Sequence, residues 1–275
     1  MITCKLLGGL GNQLFIIFAC ISYSILQKQE YFFEDINQTI GMTRRNTYWK
    51  TIFNKLLPHL IKKEYFPKWD LVIKENNYFM NATQDKNILL YDYFQSDKYF
   101  KDNYSTILEL LDIENQKKTL LNENKFYSHQ MIDKCVSIHF RIGDYNNIQA
   151  YHNILSFEYY KNAIEYILTN INYNPIFLYF CEEKDLNQVN EIILSLKKEF
   201  PKCIFQKINH TLLDWEQLLF MSCCKHNIIA NSTFSWWGAY FNSNPEKIVC
   251  FPSTWFGPKN TYCIDDLFPD KWVKI

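Results

Sequence analysis

Short apolar runs alternate with longer helical stretches along most of this chain, and that alternation restricts its fold more than any other feature. The first apolar run covers residues 2–7 and precedes a glycine turn and a helical apolar face over 12–27. Later strand-like runs cover 87–93, 135–140, 175–180, 202–205, 227–230 and 247–251, and helical stretches cover 97–111, 156–169, 183–198, 214–225 and 232–241. Strands that alternate with helices are typical of parallel sheets covered by helices on both faces. The sequence therefore predicts a doubly wound α/β fold.

The chain is long enough for two such domains, because 275 residues exceed the usual size of a single hydrophobic core. The segment 115–134 is polar and lacks strong periodicity, so it is the best candidate for a boundary. We expect an N-terminal domain over residues 1–125 and a C-terminal domain over residues 126–275.

Glycine is concentrated at one point, between the first predicted strand and the first predicted helix. Gly8, Gly9 and Gly11 are three of only seven glycines in the chain, and Asn12 follows them. Glycines let a ligand approach the backbone closely, and a helix N-terminus attracts anions such as pyrophosphate. The spacing matches neither G-x-G-x-x-G nor a Walker loop. A turn that only reverses the chain is an equally good interpretation.

A second polar cluster follows the predicted strand 135–140 and contains His139, Arg141 and Asp144. The chain has 26 lysines and only three arginines, so an arginine at a strand end indicates forked recognition of phosphate oxygens. His139 and Arg141 are two residues apart and point to the same side of an extended backbone. Ligands bind at the carboxyl ends of strands in open α/β sheets. The alternative is a structural Arg141–Asp144 ion pair with His139 as a core residue.

A third cluster combines polar residues with a predicted helix N-terminus. It follows the apolar run 227–230 and consists of Asn231, Ser232, Thr233, Phe234 and Ser235. Its hydroxyl groups can cap the helix, and the cap can also bind an anion. In the alternative interpretation they only cap the helix. In both interpretations the tryptophans at 236 and 237 belong mainly to the core.

Charge and cysteine usage exclude several classes of function. Twenty-nine basic residues balance 29 acidic ones, so no basic excess favours nucleic acid. The nine cysteines form no C-x-x-C pair, which favours buried thiols in a reducing compartment over disulfides or zinc. No D-x-D motif occurs, which agrees with Arg141 and helix N-termini, and not Mg²⁺, carrying the charge of a bound diphosphate. We expect no metal or other cofactor. The apolar run 14–26 is shorter than the about 20 residues of a membrane span. We therefore expect a cytoplasmic protein without signal peptide or membrane anchor.

Taken together, four segments resemble one enzyme family. They are GGLGNQ at residue 8, YFQSDKYF at residue 93, H-x-R-x-G-D-Y at residue 139 and NSTFSWWGAY at residue 231. Their sequence and order resemble those of the inverting alpha-1,2-fucosyltransferases of glycosyltransferase family 11, and the resemblance runs from residue 2 to about residue 257. It is weakest between Glu34 and Lys86. Two departures are Ile142, where relatives commonly carry a second arginine, and Cys181-Glu182-Glu183, where Ser-Asp-Asp is frequent.

The resemblance implies a GT-B fold, in which two Rossmann-like domains face a donor-binding cleft, with the acceptor side and glycine loop in the N-terminal domain. It implies transfer of L-fucose from GDP-beta-L-fucose to a glycan hydroxyl, as an alpha-1,2 linkage to galactose, without a metal. It assigns the guanosine part of the donor to His139 and the beta-phosphate to Arg141. The pyrophosphate would meet the loop Gly9–Asn12 and the turn Ser232–Ser235. Asp214 is a candidate for binding guanine.

The expected partners are thus a nucleotide-sugar donor and a glycan acceptor, with contact to a membrane surface where the acceptor is lipid-linked. Arg141 would stabilise the leaving diphosphate, whose charge grows in the transition state. Asp144 would be either the general base or a group that orients Arg141, and solvent is a third proton acceptor. Two other functions stay open: transfer of another sugar such as galactose or rhamnose, and non-catalytic glycan binding.

Overall fold

The computed structural model describes residues 1–40, 44–75, 86–124 and 129–275, and for residues 129 and 130 only the backbone. The chain divides into two units. Unit 1 comprises Met1–Gln116 and Asp265–Pro269, and unit 2 comprises Lys117–Ile264 and Asp270–Ile275.

Eleven strands and eight α-helices are present in the described residues. The strands are β1 (Ile2–Cys4), β2 (Phe33–Glu34), β3 (Leu60–Ile61), β4 (Leu71–Ile73), β5 (Ile88–Leu90), β6 (Cys135–His139), β7 (Ile176–Phe180), β8 (Ile204–Lys207), β9 (His226–Ile228), β10 (Val249–Phe251) and β11 (Val273–Lys274). The helices are α1 (Leu10–Gln27), α2 (Tyr104–Leu111), α3 (Ile113–Glu123), α4 (His129–Ile132), α5 (Phe157–Asn170), α6 (Leu186–Glu199), α7 (Asp214–Cys223) and α8 (Thr233–Tyr240). Short 3₁₀ helices cover Asn54–His59, Lys63–Tyr65, Asp97–Tyr99, Lys101–Asn103, Gly143–Asn147 and Glu183–Asp185.

Unit 2 is built on a six-stranded sheet with the order β11-β10-β9-β6-β7-β8, and all of its strand pairs are parallel. The chain runs outward from β6 through β7 to β8 and then returns to place β9 on the other side of β6. The strand order therefore reverses between β6 and β9. Ligands of open α/β sheets bind at such a switch point, outside the carboxyl ends of the strands.

The switch point of unit 2 is held by a buried polar network. Asn227 in β9 is fully buried, and its amide donates to Ser137 Oγ (2.8 Å) and to the Met221 carbonyl (2.9 Å). Its carbonyl oxygen accepts a hydrogen bond from Asn242 (2.8 Å). Every residue of β6 is buried, as expected for a central strand with helices on both faces. These bonds lock β9 to β6 and to the end of α7.

Unit 1 has a smaller parallel sheet with the order β1-β5-β4, beside a separate parallel pair of β2 and β3. An isolated parallel bridge joins Ile2 to Tyr31, so β1 has a neighbour on each side. The glycine loop follows β1 directly. Helix α1 is long and apolar enough to cross a membrane, but 83% of its apolar window is buried inside the protein, as in the core helix of a globular domain.

The predicted α/β architecture with parallel sheets is confirmed, but the predicted bounds differ at several points. The polar segment 115–134, the candidate boundary, contains most of α3 and all of α4. The units divide at Gln116/Lys117, where the sequence placed the boundary at 125/126. Lys117, the first residue of unit 2, donates from its ammonium group to the Phe241 carbonyl at the end of α8 (3.1 Å).

Candidate functional site

The carboxyl ends of β6 and β9 bring two of the predicted clusters together in unit 2. His139 is the last residue of β6, and its ring lies 5.5 Å from that of Phe234 in the first turn of α8. The Tyr145 hydroxyl donates to the Asn231 carbonyl (3.0 Å). The loops after the two strands are therefore directly connected at the switch point.

The guanidinium group of Arg141 is held from three sides. Nη2 donates to Asp144 Oδ1 (2.5 Å), Nη1 donates to Glu182 Oε1, and Cζ lies 5.0 Å from the centre of the Tyr145 ring. Burial acts to lower the pKa of Arg141, but Tyr145 and the two carboxylates outweigh burial and raise it. The Arg141–Asp144 ion pair, which the sequence analysis gave as the alternative to phosphate recognition, is present. It holds a permanently charged guanidinium group at the end of β6.

Glu182 is a site residue that the sequence noted only as a departure from the family pattern. It follows β7, and its second carboxylate oxygen accepts a hydrogen bond from Lys184 (2.7 Å). Burial would raise the pKa of Glu182, but Lys184 and Arg141 lower it below its usual range. A Cβ at Gly143, where φ is +36°, would come within 2.9 Å of Glu182 Oε1. Gly143 therefore lets this carboxylate reach Arg141.

His139 is buried and carries a polar atom without a partner. Its exposed fraction is 7%, and Nδ1 has no hydrogen bond from the described residues. Burial, and next the charge of Arg141, lowers the pKa of His139 to about 3. The imidazole is therefore neutral at pH 7 and has one unused hydrogen-bonding position beside Arg141.

In the third cluster, two side chains are buried in structural hydrogen bonds and three are partly exposed. The Asn231 amide donates to the carbonyls of Asn153 (2.8 Å) and Trp255 (3.0 Å), and Ser235 Oγ accepts the Ala230 N–H (3.2 Å). Ser232 caps α8 by accepting the Phe234 N–H (3.3 Å). Three residues are partly exposed and could contact a ligand: Ser232, Thr233 and Phe234. The tryptophans at 236 and 237 are fully buried, as predicted.

Asp214 lies on the helix that connects β8 to β9. It is the exposed first residue of α7, which follows β8, and β8 is separated from β6 by β7. Its Oδ1 accepts the Trp215 N–H (2.8 Å). Asp214 is thus presented at the start of α7, and this hydrogen bond joins its carboxylate to the helix backbone and not to Arg141.

In unit 1 the glycine loop forms an open helix N-terminus. Gly8 has φ +66°, and a Cβ there would lie 2.4 Å from the Asn12 amide, so another residue would be strained. Gly9 is the N-cap of α1 and has no side-chain cap, and a Cβ at Gly9 would have no heavy atom within 4 Å. Gly11 is buried in the first turn. The space over Gly9 lets a ligand approach the backbone.

Asn12 is positioned by residues from the carboxyl ends of the neighbouring strands. The Gln95 side chain donates to Asn12 Oδ1 (3.0 Å), and the Gln95 N–H donates to Glu75 Oε1 (2.7 Å). Burial raises the pKa of Glu75, and the nearby Asp92 acts in the same direction. Sequence reasoning missed Glu75, because only the pairing of β4 with β5 brings it to the loop.

No group of three or more His, Cys, Asp or Glu side chains suited to a metal ion occurs among residues 1–40, 44–75, 86–124 and 129–275. Cys223 and Cys224 instead donate their thiols to backbone carbonyls of α7. His226 Nδ1 accepts the Ile248 N–H (2.9 Å).

The two α/β units with parallel sheets, and the polar loops after their central strands, fit the GT-B fold of glycosyltransferases. The sequence model of Glycosyl transferase family 11 matches residues 23–275. The chain therefore belongs to this family and is a glycosyltransferase.

Two relatives from Escherichia coli match over essentially their full length. The chain is 28% identical to the O-antigen biosynthesis glycosyltransferase WbnK over 322 positions, covering 100% of both proteins. It is 26% identical to an alpha-1,2-colitosyltransferase over 304 positions, covering 100% of this chain and 99% of the relative.

Among solved structures, a mutant of Arabidopsis thaliana FUT1 in complex with GDP is similar with a TM-score of 0.50. The match covers 90% of this chain and 69% of that protein. At 10% identity the likeness concerns the fold alone.

Proposed function

We propose that this glycosyltransferase transfers L-fucose from GDP-beta-L-fucose to a glycan hydroxyl with inversion, forming an alpha-1,2 linkage to galactose. The observation that carries the proposal is the Arg141 fork at the switch point of unit 2, next to the unused Nδ1 of His139 and the N-terminus of α8. Arginine at such a place suits a diphosphate, because its parallel donors match phosphate oxygens.

The reaction follows from how charge develops. An acceptor hydroxyl attacks the anomeric carbon from the face opposite the diphosphate, and the diphosphate gains negative charge as its bond to the sugar breaks. A fixed cation that faces the diphosphate stabilises this transition state more than the ground state. Arg141 is such a cation, and Asp144 serves to orient it, because its carboxylate already binds Nη2.

The proposal needs no metal ion, because Arg141 and the N-terminus of α8 supply the charge that a divalent cation would otherwise provide. Turnover should therefore be unchanged by EDTA and by added Mg²⁺. An EDTA-sensitive activity that Mg²⁺ restores would contradict this part of the proposal.

A second donor is favoured by a specific observation, since one full-length relative is named an alpha-1,2-colitosyltransferase. Colitose is L-fucose without its 3-hydroxyl group, so both sugars can use the same diphosphate contacts. Discrimination depends on whether a protein group hydrogen-bonds that hydroxyl. Galactose and rhamnose donors are the wider alternatives.

The test combines binding and product analysis. GDP binding is measured by calorimetry, followed by incubation with GDP-fucose, GDP-colitose, GDP-rhamnose and UDP-galactose. The acceptors are galactose-, N-acetylglucosamine- and rhamnose-terminated glycans, and NMR determines each linkage. The proposal expects GDP binding and an alpha-1,2-fucosyl galactoside. Transfer from UDP-galactose alone, or binding of a glycan without turnover of any donor, would contradict it.

A further inference from the structure

His152 is a titratable residue that none of the sequence motifs includes, and its ring is packed beside the Arg141 cluster. It lies between the 3₁₀ helix Gly143–Asn147 and α5. Its ring stacks on Tyr145 with centroids 4.8 Å apart and an angle of 24°. The ring of Phe256 meets it edge to face at 5.6 Å. Two aromatic contacts thus fix the plane of a partly exposed imidazole.

The ring nitrogens of His152 remain available for a ligand. Within the described part of the chain, no hydrogen bond or ion pair involves the imidazole, and neither nitrogen is a buried atom without a partner. The neighbouring carboxylates are committed, because Asp144 binds Arg141 and Glu182 binds both Arg141 and Lys184. Of these three groups, the imidazole is the one that can accept a proton without giving up a contact to Arg141 or Lys184.

The imidazole is close enough to the guanidinium for an in-line displacement. Arg141 Cζ lies 5.0 Å and the His152 ring centre 4.8 Å from the centre of the same Tyr145 ring, so the two are at most 9.8 Å apart. In the reaction, a hydrogen bond of about 3 Å joins the guanidinium to the phosphate oxygen. The reacting atoms then add about 3 Å, and a base reaches its hydroxyl over about 3 Å more. A path of this length fits within the upper bound set by the Tyr145 ring.

The protonation state of the His152 imidazole also suits a proton acceptor. Burial lowers the pKa of His152 below its ordinary value, and of the two charged neighbours Asp144 acts to raise it and Arg141 to lower it. The imidazole is therefore mostly neutral at pH 7 and able to accept a proton.

We propose that His152 is the general base of the transfer reaction. In this step the acceptor oxygen bonds to the anomeric carbon while the bond from that carbon to the diphosphate oxygen breaks. The hydroxyl proton moves to a ring nitrogen of His152 and then to solvent, and the bonding electrons leave with GDP. The inference rests on the proposed function, because it requires the diphosphate at Arg141.

The test uses His152→Phe, which keeps an aromatic ring against Tyr145 and removes the nitrogens. His210→Phe is the matched control, because His210 is exposed and follows β8. Calorimetry measures GDP binding by each protein. Release of GDP from GDP-fucose is then followed across pH with lactose as acceptor and with water alone.

We expect His152→Phe to bind GDP within about twofold of the parent, because its change lies outside the phosphate contacts. Its kcat should fall by about 10²-fold or more in both assays. The acid limb of the parent pH profile should disappear, and imidazole should restore part of the activity of His152→Ala. The His210→Phe control should match the parent.

Other results separate the two proposals. An unchanged kcat and pH profile in His152→Phe would overturn the role of His152 and leave the donor assignment intact. Loss of GDP binding in that variant would also overturn it, because His152 would then belong to the phosphate site. Failure of the parent protein to bind GDP or to turn over GDP-fucose would instead overturn the proposed function.

Discussion

Replacing Arg141 by lysine separates a forked donor from a point charge at the same position. In the structure, the two terminal nitrogens bind different carboxylates and the guanidinium lies over the Tyr145 ring. A lysine ammonium keeps the positive charge, but it cannot span both carboxylates and also face a diphosphate. Arg141→Lys therefore loses at least one charge-assisted hydrogen bond to the leaving group.

The size of the effect follows from the number of bonds lost. One preorganised donor to a developing anion contributes about 3 kcal/mol, or about 10²-fold in kcat. A ground-state hydrogen bond to a charged group contributes about 1.5–3 kcal/mol, so the Kd for GDP should rise by about tenfold or more. The Arg141→Lys substitution should lower the Tm by no more than a few degrees, because the two ion pairs are partly exposed.

The assay measures kcat/KM for GDP-fucose transfer, the Kd for GDP and the Tm of each variant. Arg44→Lys is the matched control, because Arg44 is exposed in unit 1. A kcat/KM of Arg141→Lys within about threefold of the parent would refute the reasoning, since one donor should be worth far more.

Three further predictions concern the loop, the fold and pH. Gly9→Ala should change the free energy of unfolding by less than about 0.5 kcal/mol, because a Cβ has open space there. If the loop binds the donor, kcat/KM of this variant should fall. Unchanged kinetics would instead favour a turn that only reverses the chain. Asn227→Leu should cost about 3–5 kcal/mol in urea unfolding, because it removes three buried hydrogen bonds and strands their partners; a loss under about 1 kcal/mol would contradict this network. Burial lowers the pKa of His226 to about 4 and of His139 to about 3. Below pH 6.5 these two histidines therefore bind protons in the unfolded chain but stay neutral in the folded one. The free energy of unfolding should therefore fall as the pH drops from about 6.5 to 4, and it should fall less steeply in His226→Gln. An equal pH dependence of the unfolding free energy in that variant would contradict the lowered pKa of His226.

The sequence predicts the architecture well, because hydrophobic periodicity reflects burial on sheets and helices. The central strands of unit 2 lie within the predicted runs, although β9 begins and β8 ends slightly outside them. It misses β4, because Leu71–Ile73 is a three-residue strand whose side chains stay partly exposed. It also misses α3, whose surface is mostly polar.

For the site, rarity was the useful signal. Three clustered glycines and one of three arginines led to the prediction of both loops, which the structure places after β1 and β6. The partners could not be foreseen in the same way, because Glu182 is 41 residues from Arg141. His152 and Arg141 both contact the Tyr145 ring, and no local pattern encodes these contacts. Such contacts depend on strand order and loop path, which periodicity does not specify.

The two carboxylates on Arg141 also determine which anions can compete for it. Each carboxylate occupies one N–H of a terminal nitrogen, and the remaining N–H groups of the guanidinium can face an anion. A free phosphate or sulfate ion at these groups would be repelled by the charges of Asp144 and Glu182. Under the proposed function, a nucleoside diphosphate brings additional contacts through its base and ribose, and these offset the repulsion. We therefore expect the paired carboxylates to weaken competition from small anions, so that ordinary phosphate levels inhibit the transfer reaction little.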